Sequence, residues 1–147
     1  MNKIKVLFVC THNSARSQMA ETFLNILGSD KFEAESAGLE VGTLNPYVIR
    51  VMKELKIDIS GNKTKNVFDF YRQGKLYQYV ITVCDAHISE RCPVFPGISE
   101  KINWSFEDPS AFTGSYEEIL DKTRILRDQI MAKIQVWIEE VTLKSSM

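Results

Sequence analysis

The chain has 147 residues, 44% of them hydrophobic, with 18 Lys and Arg against 19 Asp and Glu and a formal net charge of −1. That is enough chain to bury one core, and residues 1–147 read as a single domain. The near-neutral balance, with no block of lysines or arginines, excludes a nucleic-acid groove and a polybasic membrane patch, so neither partner is expected.

Ile4 to Val9 is rich in β-branched and aromatic residues and predicts a strand. It is too short for a signal-peptide core or a membrane span, so the protein is expected in the cytoplasm, as a monomer. The run empties into Cys10-Thr11-His12-Asn13-Ser14-Ala15-Arg16-Ser17. Ala15, Met19, Ala20, Phe23, Leu24 and Leu27 then recur at helical spacing until Gly28 stops them, which predicts a helix from Ala15 to Leu27.

Strand, Cys-x5-Arg loop and helix N-terminus together make a cradle for a tetrahedral anion, because successive N–H groups and the positive end of the helix dipole converge there. The same field favours the thiolate of Cys10, the form that attacks. Arg16 adds a planar fork of donors for two oxygens of the anion, which a lysine would not provide. Residues Thr11 to Ser17 are therefore the candidate oxyanion loop. His12 is read as a residue that packs and orients this loop without titrating in the chemistry.

Phe32 to Ser36 predicts a second strand. Asn45-Pro46 is an N-cap with proline in the first turn, opening a helix from Pro46 to Leu55. Asp58 to Gly74 predicts a loop and a short helix beside the site. Tyr77 to Val83 and Ile102 to Trp104 complete the strands, and their alternation with helices predicts a parallel sheet covered on both faces. Ser115-x-x-Glu118 is a capping box for a long helix from Tyr116 to about Val141, with one core stripe through Ile119, Thr123, Leu126, Ile130, Ile134, Trp137 and Val141. The tail from Lys144 is expected to fray.

A second cluster of chemistry follows the third strand, at Cys84-Asp85-Ala86-His87-Ile88-Ser89-Glu90-Arg91-Cys92-Pro93. In a parallel sheet Cys84 leaves at the same carboxyl edge as Cys10, so all three thiols are expected on one rim. An odd number of cysteines in a reducing compartment argues against a structural disulfide framework. Three readings stand. The loop between Cys84 and Cys92 is long enough to close a redox disulfide. Cys84, His87 and Cys92, with Cys10 and His12 nearby, could hold zinc, although no tight Cys-x2-Cys pair is present. The pair could also be inert, since free cysteine packs as a small hydrophobe. The redox reading leads, and no metal is expected. Downstream, Asp108 is held extended by Pro109 and serves either as a proton donor to a departing oxygen or as a turn residue.

CTHNSARSQMAE, the pair Cys84 and Cys92 followed by Pro93, and the FEDPS segment together resemble the thiol-coupled arsenate reductases that share the fold of the low-molecular-weight tyrosine phosphatases. The similarity runs from Ile4 to the final helix. It implies an α/β domain with a four-stranded parallel sheet in flavodoxin-like order and an N-terminal P-loop. It also implies a cascade. Cys10 attacks arsenate while Arg16 and the loop hold the oxygens and Asp108 donates a proton. Cys84 then attacks the Cys10 sulfur and arsenite leaves. Cys92 attacks Cys84, and that disulfide goes to thioredoxin, or to glutaredoxin with glutathione.

The resemblance requires no cofactor, but family members brace the loop through a polar network, sometimes with a potassium ion. The matching positions are Asn13, Ser17, Glu21, Ser36 and Asn66, the last standing where an aspartate is usual. The spacing of Cys84 and Cys92 is one residue longer than the commonest in the thioredoxin-linked group. Tyrosine phosphatase activity is the main alternative, although phosphatases of this fold usually carry a second loop cysteine where this chain has Ala15 and an aromatic where it has Ser110. A non-enzymatic oxyanion sensor is the third reading, and no helix-turn-helix or basic recognition element supports it.

Overall fold

The computed structural model describes residues 2–84 and 90–145. Four parallel strands, β1 (Ile4–Cys10), β2 (Phe32–Gly38), β3 (Tyr79–Thr82) and β4 (Glu100–Asn103), form one sheet in the order β2-β1-β3-β4. Helices α1 (Arg16–Leu27), α2 (Pro46–Lys53), α3 (Val67–Arg72) and α4 (Tyr116–Ser145) cover it, with a 3-10 turn at Pro109–Ala111.

The alternation of a strand divides the core in two. Val6, Phe8 and Cys10 of β1 pack with apolar residues of α1, α2 and α4, while Leu7 and Val9 pack on the other face with Val67 and Phe70 of α3. Strand order reverses between β1 and its two neighbours, and the carboxyl edge at such a switch point is where open α/β sheets bind ligands. Cys10 ends β1 at that edge.

Local signals explain most boundaries. Asn45 Oδ1 accepts from the N–H groups of Tyr47 (2.9 Å) and Val48 (3.3 Å), starting α2. The helix stops two residues short of Leu55 because Lys56 turns left-handed at φ 63° and the Ile57 N–H reaches back to the Met52 carbonyl at 3.2 Å. The capping box forms: the Glu118 N–H donates to Ser115 Oγ at 3.2 Å and the Ser115 N–H to Glu118 Oε1 at 3.1 Å.

Three expectations shift. β3 is shorter than Tyr77 to Val83, because Tyr77 leaves the ladder to bury its ring against Phe95 and donate its hydroxyl to Glu35 Oε1 at 2.9 Å. β4 begins at Glu100, since an edge strand needs backbone pairing to β3 more than an apolar pattern. In α4 the buried stripe uses Leu120 in place of Ile119 and includes Arg127, whose Nη1 donates to the Val51 carbonyl at 2.8 Å.

Candidate active site

β1 is buried from Val6 onward and delivers Cys10 to the edge almost fully covered. Its last rung pairs Cys10 with Gly38 of β2. The chain then turns at Asn13, which adopts φ 56°, a left-handed conformation that asparagine tolerates better than most residues. The turn aims the Asn13 N–H at Cys10 Sγ, 3.1 Å away, and Ser17 Oγ lies 2.8 Å from the same sulfur. A backbone N–H thus donates to the sulfur, and the Ser17 hydroxyl shares a second hydrogen bond with it.

The Asn13 side chain is wholly buried and ties the loop together. Its amide nitrogen donates to Ser17 Oγ (2.8 Å) and Ser36 Oγ (2.9 Å), and its oxygen accepts from Gln18 Nε2 (3.1 Å) and the Lys65 N–H (2.9 Å). The segment after β2 runs beneath the loop, with the N–H groups of Leu39, Glu40 and Gly42 donating to the carbonyls of Cys10, Thr11 and His12. Contact there is so close that a Cβ on Gly38 would stand 2.7 Å from the Asn13 nitrogen.

Arg16 opens α1 and is buried. Its Nη1 donates to the Phe106 carbonyl at 3.1 Å, and Nη2 lies 3.7 Å from Asp108 Oδ2. Its Nε is buried with no hydrogen-bond partner among the described residues. Ala15, at the N-cap, offers no side-chain hydrogen bond to the first turn. An orphaned guanidinium donor, an uncapped helix N-terminus and a sulfur fixed by hydrogen bonds to Asn13 and Ser17 make a site that an oxyanion completes.

Asp108 unites the two readings of its motif. Oδ1 accepts from the Ser110 N–H (3.0 Å) and hydroxyl (2.8 Å), capping the 3-10 turn, while Oδ2 faces Arg16. Burial is the largest influence and pushes its carboxyl up. The Ser110 donors, with Arg16 and His12, outweigh it and hold Asp108 below the ordinary value. His12 sits at the rim, half exposed, with Nε2 3.3 Å from Glu40 Oε2.

Residues 5–146 match the model of the low molecular weight phosphotyrosine protein phosphatase family. The chain belongs to this family. It is 37% identical over 139 residues to an arsenate reductase of Halalkalibacterium halodurans, covering 95% of this chain and 98% of that protein. A solved arsenate reductase in its oxidised state has a TM-score of 0.74 at 33% identity, covering 93% of this chain and 98% of that one. A thioredoxin-dependent arsenate reductase of Corynebacterium glutamicum has a TM-score of 0.61 at 27% identity, covering 91% of this chain and 63% of that one.

Within the phosphatase-family frame the three cysteines form no disulfide among the described residues, and they divide between the two faces of the sheet. Cys84 packs in the same core cluster as Cys10, its Sγ 4.0 Å from the Val9 carbonyl, and its own carbonyl accepts from Asn103 Nδ2 at 3.0 Å. Cys92 lies on the opposite face, among Leu7, Val9, Val80 and Phe95. An apolar niche on the α3 side takes Cys92. Burial pushes the Cys92 thiol up to about 11, against the opposing charge of Lys101. A cavity of about 130 Å³ borders it, lined by Val80, Thr82, Lys101, Ile102 and Asn103. This placement also puts Cys92 on the other face from Cys10 and Cys84 of the conjectured zinc set; His87 lies outside the described residues.

The supporting network is partly as expected. Asn13, Ser17 and Ser36 meet directly, but Asn66 does not join them: its Oδ1 accepts from the Phe68 N–H at 2.8 Å and caps α3. Glu21 is held by Lys65 Nζ at 3.1 Å. These residues do not fit a potassium ion, because the one carboxylate of the set already has a cation and the Asn66 oxygen is spent on the helix. Sequence reading missed Gln18 and Lys65. Gln18 is fully buried on the inner face of α1, where a polar residue signals a hydrogen-bonding duty; Lys65 carries no such signal. A larger cleft, about 640 Å³ between Lys3, Lys5, Glu33 and Gln78, lies at the amino edge of the sheet and holds none of this chemistry.

Proposed function

We propose that the chain reduces arsenate to arsenite through a thiol–disulfide relay that begins at Cys10. The observation that carries this reading is the pairing of one oxyanion site with a second thiol: Cys84 shares the core cluster of Cys10, and a phosphatase has no use for it.

The chemistry balances. The Cys10 thiolate attacks arsenic(V) and an S–As bond forms as one oxygen leaves as water, its proton supplied through Asp108. Arg16 Nε and the first-turn amides hold the remaining oxygens. Asp108 is ionised in the resting site. An incoming anion draws Arg16 away from it and places negative charge beside it, and both changes favour the protonated acid. Cys84 then attacks the Cys10 sulfur, the S–As bond breaks toward arsenic, and the electron pair converts arsenic(V) to arsenic(III), which leaves as arsenite. Cys92 attacks Cys84 in turn, freeing Cys10. For this step Cys92 leaves its niche on the far face.

A dithiol donor of the thioredoxin or glutaredoxin class closes the cycle. The thioredoxin-dependent relative supports this choice. Among the described residues no helix is long and apolar enough to cross a membrane. The same loop accepts phosphate, an oxyanion of similar shape, so weak phosphatase activity accompanies the reaction. Free-thiol counting before and after arsenate without reductant tests the assignment: two thiols lost per arsenite formed are expected, and unchanged thiols with phosphate release from an aryl phosphate would make the chain a phosphatase.

A further inference from the structure

We infer that Lys65 is a positioning residue of the oxyanion loop, a tethered cation that does the work of a bound alkali-metal ion and makes the site indifferent to potassium. The inference rests on the oxyanion-binding part of the proposed function.

Lys65 is bonded to three separate elements. Its N–H donates to Asn13 Oδ1 at 2.9 Å, its carbonyl accepts from the Gly38 N–H at 2.8 Å, and its ammonium meets Glu21 Oε1 of α1 at 3.1 Å. Asn13 is the residue whose left-handed turn aims an N–H at Cys10, and Gly38 is the residue that the loop crosses without room for a Cβ. One residue therefore joins the end of β2 and the P-loop through its backbone, and its side chain ties both to the helix that carries Arg16.

Charge decides the rest. The Glu21 side chain is 15% exposed, and a carboxylate so covered requires a cation. An external ion would bind according to its concentration and stabilise the loop only in proportion. The Lys65 ammonium is covalently present, occupies the carboxylate oxygen, and draws its own backbone up to Asn13. Asn66, next in the chain, is turned to cap α3 and leaves Glu21 as the carboxylate of this group.

The test compares wild type, Lys65→Met and Lys65→Arg by calorimetric titration with inorganic phosphate, in KCl or tetramethylammonium chloride at equal ionic strength. Phosphate binding needs no turnover, so the result stands whether or not the chain reduces arsenate. Wild-type affinity is expected to change by less than about twofold between the salts. Lys65→Met is expected to bind phosphate about tenfold more weakly, the scale of a small displacement of a binding loop, and to recover several-fold in KCl. Lys65→Arg should keep most of the affinity. If Lys65→Met does not fold, the double variant Lys65→Met, Glu21→Gln removes the bare carboxylate, and it should bind phosphate weakly in both salts. Severalfold tightening of wild type by KCl, or wild-type affinity in Lys65→Met or in the double variant, overturns the inference.

Discussion

Arg16 Nη2 stands 3.7 Å from Asp108 Oδ2, yet the two side chains differ sharply in exposure, 7% for the arginine and 48% for the aspartate. The guanidinium is fixed from behind by the Phe106 carbonyl, and the carboxylate by Ser110. In the proposed reaction the arginine would anchor the oxyanion and the aspartate would supply its proton.

Asp108→Asn keeps the cap on Ser110 and removes the proton. Turnover should fall by about 10²–10⁴-fold with little change in oxyanion affinity, measured as a split between kcat and phosphate Kd. Ser110→Ala removes a donor that holds the carboxyl down. The acid form then persists to higher pH, and the alkaline limb of the rate profile should move upward; an unmoved limb would separate Asp108 from the proton transfer.

The Cys92 thiol ionises near 11 in the fold against an ordinary value of 9. The sign follows from linkage: the unfolded chain loses this proton first, so the stabilisation is whole below pH 9 and disappears as the pH rises toward 11. The loss is at most about 2–3 kcal/mol. Urea midpoints of the reduced protein should fall over that window, and Cys92→Ala should flatten the fall. Peptide mapping at pH 8 should also find Cys92 alkylated slowly by iodoacetamide.

The separation of Cys92 from the other two thiols orders the relay. Cys92→Ser should release about one arsenite per enzyme and stop with Cys10 joined to Cys84, while Cys84→Ser should form the arsenate adduct and release none. Mass mapping of the disulfides after one exposure to arsenate reads both. Many turnovers of Cys92→Ser with thioredoxin would replace the three-thiol scheme by one using an external thiol.

Gly38→Ala drives a methyl group to 2.7 Å from the Asn13 nitrogen, a backbone atom that cannot swing aside. A loss of about 1–3 kcal/mol is expected, with weakened phosphate binding because the displaced atom is the one that donates to Cys10. Gly61, with nothing within 4 Å of an added Cβ, is the control and should accept alanine without change in phosphate affinity.

The sequence by itself determined what depends on neighbours along the chain. A strand, a Cys-x5-Arg loop and a helix start are consecutive, so Cys10, Arg16 and the turn between them were legible as an anion cradle, as were the Asn45 cap and the Ser115 capping box. Only tertiary structure decided the rest, because it depends on which side of the sheet a segment falls. Cys84 and Cys92 are eight positions apart, yet one thiol is buried on each face of the sheet. Lys65 and Glu21 are 44 positions apart, and nothing in either residue names the other. Their pairing exists because a covered carboxylate must be neutralised by whatever cation the fold brings within reach, while Asn66, the residue the motif pointed to, was drawn into capping the helix that starts beside it.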